Sequence, residues 1–320
     1  MPPRPRTLLL TLDAFNTLFH PRLPVPIQYA QVAQSLHFPP QTTDNPSIPT
    51  ADLAAQISTA FRVAYKQESA ARPNFGRNVP GFGGPKEWWR NVIRGCFARV
   101  VGDGDGGGKV EVPEELVERL IRRFESKEGY MLYPDVGEFF ARMRRWRAGG
   151  NSAGSGTGFE RVVVGVVSNS DDRIASILNS LGVRVGGHGS STSTSSAAGS
   201  GWGMPADIDF IVTSYEAREE KPHRAIFDFA KERAKQCLAK GGLSPSNDAD
   251  WTCVHVGDHY EKDYIGATDA GWDSYLLPRD GDGPGLQELP KDYPRTVKRI
   301  GALSDLFPNL GIDTASKRYG

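Results

Sequence analysis

Short apolar runs alternate with helical stripes along most of the chain. Residues 8–12 (LLLTL) read as a buried strand, and residues 161–167 (RVVVGVV) as a second, rich in β-branched side chains. Residues 208–212 and 252–256 give a third and a fourth, and residues 275–277 a weaker fifth. Helical patterns lie between them. Pro134 opens one that carries Val136, Phe139, Phe140 and Met143, and Asp172 opens another with Ile174, Ile177, Leu178 and Leu181. A third covers residues 222–239 with Ile226, Phe227, Phe229 and Ala230. Strands without polar alternation, separated by helices, predict a parallel sheet covered on both faces. The expected class is α/β, a three-layer flavodoxin-like or Rossmann-like core.

Between the first strand and Pro134 the period is helical throughout. Stripes fall at residues 27–36, at Leu53, Ile57, Phe61, Ala64 and Tyr65, at Trp88, Trp89, Val92, Ile93, Cys96 and Phe97, and at Leu116, Val117, Leu120, Ile121 and Phe124. Pro85 and Pro113 stand near helix starts, where a missing N–H costs nothing. The pattern predicts a helical lobe over 19–131 inserted into a discontinuous core of 1–18 and 132–310, followed by a tail, 311–320. Gly/Ser-rich tracts at 102–108, 149–158 and 186–206 cannot bury enough apolar area to offset their ordering entropy, and read as flexible surface insertions.

Composition narrows the function classes. Lys and Arg total 38, as do Asp and Glu, so there is no bulk charge to hold nucleic acid or an anionic membrane. No apolar run approaches the roughly 18 residues that span a bilayer. Residues 8–12 are too short for a signal peptide and end in Asp13, a candidate for the chemistry. Cys96, Cys237 and Cys253 have no metal or disulfide spacing, which favours a reducing compartment, cytoplasm or nucleus.

Polar clusters follow the predicted strands. Asp13 closes the first, Ser168-Asn169 the second, Lys221-Pro222 lies after the third, and Gly257-Asp258, with Asp263 beyond it, after the fourth. The carboxyl ends of neighbouring parallel strands face one crevice, so these groups are expected to meet there. Asp13 offers a carboxylate nucleophile. Asp13 with Asp258 is a hard oxygen pair suited to Mg²⁺, and Lys221 with Ser168 could hold a transferring phosphoryl group. Taken singly, Ser-Asn, Lys-Pro and Gly-Asp are turn and cap dipeptides.

This ordered set resembles the haloacid dehalogenase superfamily of hydrolases over most of the chain. Residues 61–65 (FRVAY), 73–76 (PNFG), Trp88-Trp89 and 257–267 (GDHYEKDYIGA) are similar to one particular group within it. The resemblance implies that Asp13 is the nucleophile and a metal ligand, and that Phe15 ligates the metal through its backbone carbonyl. Asp258 would be the second carboxylate ligand. Ser168, Asn169 and Lys221 would serve the phosphoryl group, Lys221 also orienting Asp13, while Thr17 and Asp263 support. The helical lobe corresponds to a cap that closes over a small phosphorylated substrate and sets specificity.

One position departs from the pattern. Family phosphatases carry a second Asp two residues after the nucleophile, and here Phe15 stands there. Losing a general acid–base group costs about a hundred- to ten-thousand-fold in rate. Three readings stay open: a Mg²⁺-dependent phosphohydrolase of restricted activity, a degenerate binding module for phosphate or a protein partner, and a 2-haloacid dehalogenase. The last needs no acid, but has no use for the Asp258/Asp263 pair. His259 is the candidate substitute acid, with Tyr260 and His223 also near.

Other features read as structural. Residues 103–114 (DGDGGGKVEVPE) form an imperfect calcium-loop pattern with Gly107 at a ligand position, and read as a helix connection. His255 and His259 flank a strand end, not one face of a helix, so zinc is not expected. Arg142, Arg144, Arg145 and Arg147 read as a solvated helix face near a C-terminus. Trp88 and Trp89 are expected to give one ring to the lobe's core and one to the lobe boundary.

Overall fold

The computed structural model describes residues 6–40, 48–102, 111–148, 159–186, 206–240, 250–279 and 297–312. The acidic stretch at 103–110, the Gly/Ser tract at 149–158, most of the tract at 186–206 and the residues beyond 312 lie outside them. Two compact units result. One comprises Met1–His20, Leu132–Asn169 and Gly182–Gly320; the other comprises Pro21–Met131 and Ser170–Leu181.

The strands in chain order are β1 Thr7–Leu12, β2 Phe19–Pro21, β3 Tyr130–Leu132, β4 Arg161–Ser168, β5 Phe210–Thr213, β6 Trp251–Gly257 and β7 Asp273–Leu276. Five of them form the sheet of the first unit in the order β5-β4-β1-β6-β7, every pairing parallel. The expected α/β architecture is therefore the observed one. The third strand begins at Phe210, and Ile208 makes only an isolated bridge to Val185. The fifth is Asp273–Leu276, set by the register Val254 to Asp273 and Gly257 to Leu276.

Burial explains the strand composition. All six residues of β1 are buried, as a strand in the middle of a doubly covered sheet must be. Helix Arg224–Lys240 lays Ile226, Phe227, Ala230 and Ala234 on one face, in a core with Leu9, Val163, Val167, Phe210 and Trp272. Helix Pro134–Ala148 buries Val136, Phe139, Phe140 and Met143, the stripe its sequence predicts, and Phe139 meets Phe307 at 5.6 Å. The chain runs outward from β1 through β4 to β5, then crosses to β6 and β7. Its direction therefore reverses beside β1, the switch point at which open α/β sheets bind ligands.

The second unit holds helices Val25–Ser35, Thr50–Ala71, Gly84–Val101 and Glu114–Arg123, matching the four stripes. Its core is aromatic: Tyr29 meets Phe61 and Phe124 at 5.5 Å and Phe97 at 6.0 Å. The two-stranded sheet of β2 and β3, absent from the sequence reading, pairs three-residue segments too short to show a period. Among the described residues no helix is long and apolar enough to cross a membrane, and no disulfide joins the cysteines.

Two sequence readings change. Helix Arg173–Ser180, expected among the core helices, groups with the helical unit. There Asp171 accepts from Trp89 Nε1 at 2.7 Å, and Ser180 Oγ accepts from the Lys127 N–H at 2.7 Å. The arginines of helix Pro134–Ala148 are not simply solvated either. Arg144 pairs with Asp207, Arg147 Nη2 with Asp209 Oδ2 at 2.6 Å, and Arg142 lies 4.1 Å over the Phe307 ring. Acidic partners for this stretch exist within the chain.

Candidate active site

The carboxyl edge of the sheet assembles the groups. Leu12 pairs with both Val166 and Val256, and the Asp13 N–H extends the ladder to the Val256 carbonyl at 2.8 Å. Asp13 thus begins its loop rigidly, level with Val167 and Gly257 and one residue short of Ser168 and Asp258. The loop then folds on itself: the Leu18 N–H returns to the Ala14 carbonyl at 2.9 Å and the Asn16 N–H to Phe19 at 2.8 Å. Asn16 takes a φ of 55° there, a conformation Asn tolerates better than most residues.

Lys221 is the hub. Its ammonium donates to Asp13 Oδ1 at 2.6 Å, to Asp263 Oδ1 at 2.6 Å and to the Val167 carbonyl at 2.8 Å, engaging all three of its protons. Burial disfavours its charge, yet Asp13 and Asp263 hold its pKa above the ordinary lysine value. The geometry describes orientation of Asp13; contact with phosphate would exchange one of those three bonds. Asn169 does not face the carboxylates. It clamps the Lys221 backbone, donating to its carbonyl at 2.9 Å and accepting its N–H at 2.7 Å. Ser168 is buried at the end of β4, beside the Val167 carbonyl that holds the ammonium.

Asp13, Asp258 and Asp263 each place an oxygen within 4.8 Å of the others. Their environments separate them. Burial, reinforced by Asp13 and Asp263, pushes the Asp258 carboxyl up to about 8. Burial likewise raises Asp13, against the pull of Lys221. Burial opposes ionisation of Asp263 too, but Lys221 and His255 together hold it well below the usual carboxylate range. Both Asp263 oxygens are engaged, Oδ1 by Lys221 and His255 and Oδ2 by the His259 N–H at 2.9 Å. Asp13 and Asp258 are therefore the carboxylates able to ligate an ion directly, with Asp263 behind them. Hard oxygens crowded around too few positive charges suit Mg²⁺, so the residues fit that ion. Thr17 supports Asp258, its hydroxyl donating to Oδ1 at 3.3 Å.

The remaining candidates sort clearly. The Phe15 ring packs edge-on against Phe19 with centroids 4.8 Å apart, and carries no transferable proton. His259 caps the widened turn Tyr260–Ile265, its Nδ1 accepting the Lys262 N–H at 3.2 Å. Partial burial and Lys262 lower its pKa, which disfavours the imidazolium that a general acid would need. His223 is exposed, and its Nδ1 accepts from the Ala225 N–H at 3.2 Å.

Two roles escaped the sequence reading. His255, fully buried, bridges Thr11 at 2.8 Å to Asp263 at 3.1 Å, and burial lowers its pKa so that it stays neutral. A polar residue in an otherwise apolar strand was the available signal. In the helical unit, Arg173 forks onto both Asp171 oxygens at 2.9 Å and lies 4.5 Å over Trp89. Trp88 is buried and donates to the Arg72 carbonyl at 3.0 Å. Arg173 lines a cavity of about 80 Å³ with Tyr29, Phe61, Trp89 and Phe124.

Asp13 held by Lys221, with the Asp258/Asp263 pair beside it on one parallel sheet edge, is the arrangement of a site of the haloacid dehalogenase type. Known proteins agree. The chain is 30% identical over 249 residues to the haloacid dehalogenase-like hydrolase domain-containing protein 3 of Danio rerio, covering 78% of this chain and 81% of that one. The protein of the same name from Mus musculus is 27% identical over 312 residues, covering 96% and 95%. The chain belongs to the haloacid dehalogenase-like hydrolase family. No protein-family model matches it. The solved structure of a defluorinating L-2-haloacid dehalogenase shares the fold, with a TM-score of 0.52 at 16% identity and 96% of each chain covered.

Proposed function

We propose that the protein is a Mg²⁺-dependent phosphohydrolase acting on a small phosphorylated metabolite through an aspartyl-phosphate at Asp13, its turnover restricted by Phe15. The observation that carries this reading is the charge balance of the site: Asp13, Asp258 and Asp263 converge on the single ammonium of Lys221. Ionised together, they leave an excess of negative charge that a divalent cation would neutralise. When bound, the cation would offset charge on the phosphoryl oxygens and bring the nucleophile and the substrate together.

The residues divide the work as follows. Lys221 holds Asp13 Oδ1 and so aims the carboxylate's other oxygen at phosphorus. A bond forms between that oxygen and phosphorus as the bond to the leaving oxygen breaks. The Ser168 hydroxyl and neighbouring backbone N–H groups receive the phosphoryl oxygens. Position 15 supplies no proton to the leaving group, so substrates whose leaving group is already a weak base, such as acyl phosphates, are favoured. Water then attacks phosphorus, releases phosphate and regenerates Asp13, giving up its proton to solvent or to phosphate. A second reading, a degenerate module that binds phosphate without turnover, draws support from the same Phe15 ring.

The test is phosphate release from acetyl phosphate and para-nitrophenyl phosphate, with Mg²⁺ and with chelator, for the wild type, Asp13→Asn and Phe15→Asp. Magnesium-dependent release that Asp13→Asn abolishes supports the phosphohydrolase. A silent wild type with an active Phe15→Asp variant supports the binding module. Halide release from 2-chloropropionate that chelator leaves untouched would overturn both in favour of a dehalogenase.

A further inference from the structure

Arg279 has no part in the chemistry above, yet it is buried and engaged on all sides. Its Nε and Nη2 donate to the Thr17 carbonyl at 3.2 and 2.6 Å, and Nη1 donates to both oxygens of Asp135 at 2.9 Å. The guanidinium lies 4.2 Å over the Tyr133 ring, and Asp135 Oδ2 also accepts the Leu303 N–H at 2.8 Å. The Tyr133 N–H donates to the Leu18 carbonyl at 3.1 Å. Two successive carbonyls of the nucleophile loop are thus held from outside the loop.

On the magnesium-dependent reading that loop carries much of the metal site. Asp13 stands at its start, Phe15, whose carbonyl the family resemblance assigns to the metal, within it, and Thr17 near its end with its hydroxyl on Asp258. A backbone carbonyl has no rotamer to adjust, so its reach to an ion depends on where the peptide is fixed. Ligands must sit within about 0.5 Å of their working positions.

We propose that Arg279, braced by Asp135, is a positioning residue for the metal site, fixing the Thr17 peptide and through it the Phe15 carbonyl and the Thr17–Asp258 contact. The inference rests on the magnesium-dependent reading above. Arginine suits the task because its planar fork serves a carbonyl and a carboxylate at once, which a lysine's compact charge does not. The competing account is a buried ion pair that merely fastens the segment around Leu303. That account predicts lost stability and unchanged metal affinity.

The experiment is Mg²⁺ titration by calorimetry on wild type, Arg279→Lys, Arg279→Gln and Asp135→Asn, at a temperature where circular dichroism shows each folded. Phe210→Leu, a core truncation at the start of edge strand β5, is the stability control. Arg279→Lys and Arg279→Gln should weaken Mg²⁺ binding by about tenfold or more, as loss of groups behind a ligand does, and Asp135→Asn by less. The Phe210→Leu control should keep wild-type affinity despite a lowered Tm. If Arg279→Gln does not fold, Arg279→Lys and Asp135→Asn decide. Arginine variants that bind as the wild type does would overturn this proposal alone; a wild type that binds no Mg²⁺ would overturn it together with the reading it rests on.

Discussion

Asn169 and Lys221 hold each other through two reciprocal hydrogen bonds, the asparagine amide nitrogen on the lysine carbonyl and the lysine N–H on the asparagine Oδ1. The pair joins the end of β4 to the loop before helix Arg224–Lys240. It closes a ring, because the Lys221 ammonium returns to the carbonyl of Val167, two residues before Asn169. The lysine head is therefore located by its own backbone as well as by the carboxylates.

Asn169→Ala should accordingly damage catalysis through Lys221. Small misplacements of a reacting group cost about a hundredfold in rate, so kcat should fall about 10- to 100-fold while KM changes little. Assays in both the wild-type and Phe15→Asp backgrounds check this. A change confined to KM would instead assign Asn169 to substrate contact.

Lys221→Met tests the charge balance. It leaves Asp13 and Asp263 buried without their cation, and breaking such a pair from one side typically costs about 3–5 kcal/mol. Urea unfolding in chelator should show a loss of that order, partly restored by Mg²⁺. A loss under about 1 kcal/mol would mean that the carboxylates simply take up protons.

Much of this was legible in sequence because strand ends carry their own signal. An apolar run that stops at Asp13, Ser168 or Gly257-Asp258 locates both the strand and the edge where ligands bind, and parallel pairing brings the edges together. Lys221 follows β5 by several residues, and joins the set only as the polar cluster nearest the end of the third strand. The roles of Asn169, His255 and Arg279 were hidden for another reason. Each depends on a partner far along the chain, Lys221, Asp263 and Thr17 respectively, and side-chain pairing over such distances leaves no local period. The grouping of Ser170–Leu181 with the helical unit is of the same kind, since its sequence is that of any helix after a core strand.

The Asp258 carboxyl, raised to about 8, makes the proposed magnesium binding pH-dependent. The protonated acid must release its proton to ligate, so apparent affinity should fall about tenfold for each pH unit below about 8 and level off above it. The sign for stability follows. The folded protein keeps this proton at pH values where the unfolded chain has lost it. In chelator, the group therefore costs stability progressively as pH rises from about 4 to about 8. Mg²⁺ should reverse that loss. Calorimetric titrations at pH 6, 7 and 8, buffer-corrected for proton release, provide the check; a flat affinity would refute the assignment of Asp258 as a ligand.

Gly257→Ala probes the tightest approach in the site. A Cβ at this position would lie 2.2 Å from Asp263 Cγ and 2.3 Å from its Oδ2, so one of the two must move. The backbone of Gly257 cannot yield easily, because β6 is laddered to β1 on one side and β7 on the other. Asp263 must therefore give way, and it carries bonds to Lys221, His255 and the His259 N–H. Overpacking of this kind costs about 1–3 kcal/mol. The larger effect should be functional, because a displaced Asp263 releases Lys221 from one of its three anchors and frees Asp13 to turn. Turnover should fall more than stability predicts, and in an Asp263→Gly background, where no side chain is left to displace, Gly257→Ala should cost little further rate or Tm. If Gly257→Ala still lowers the rate in that background, it acts by some route other than Asp263.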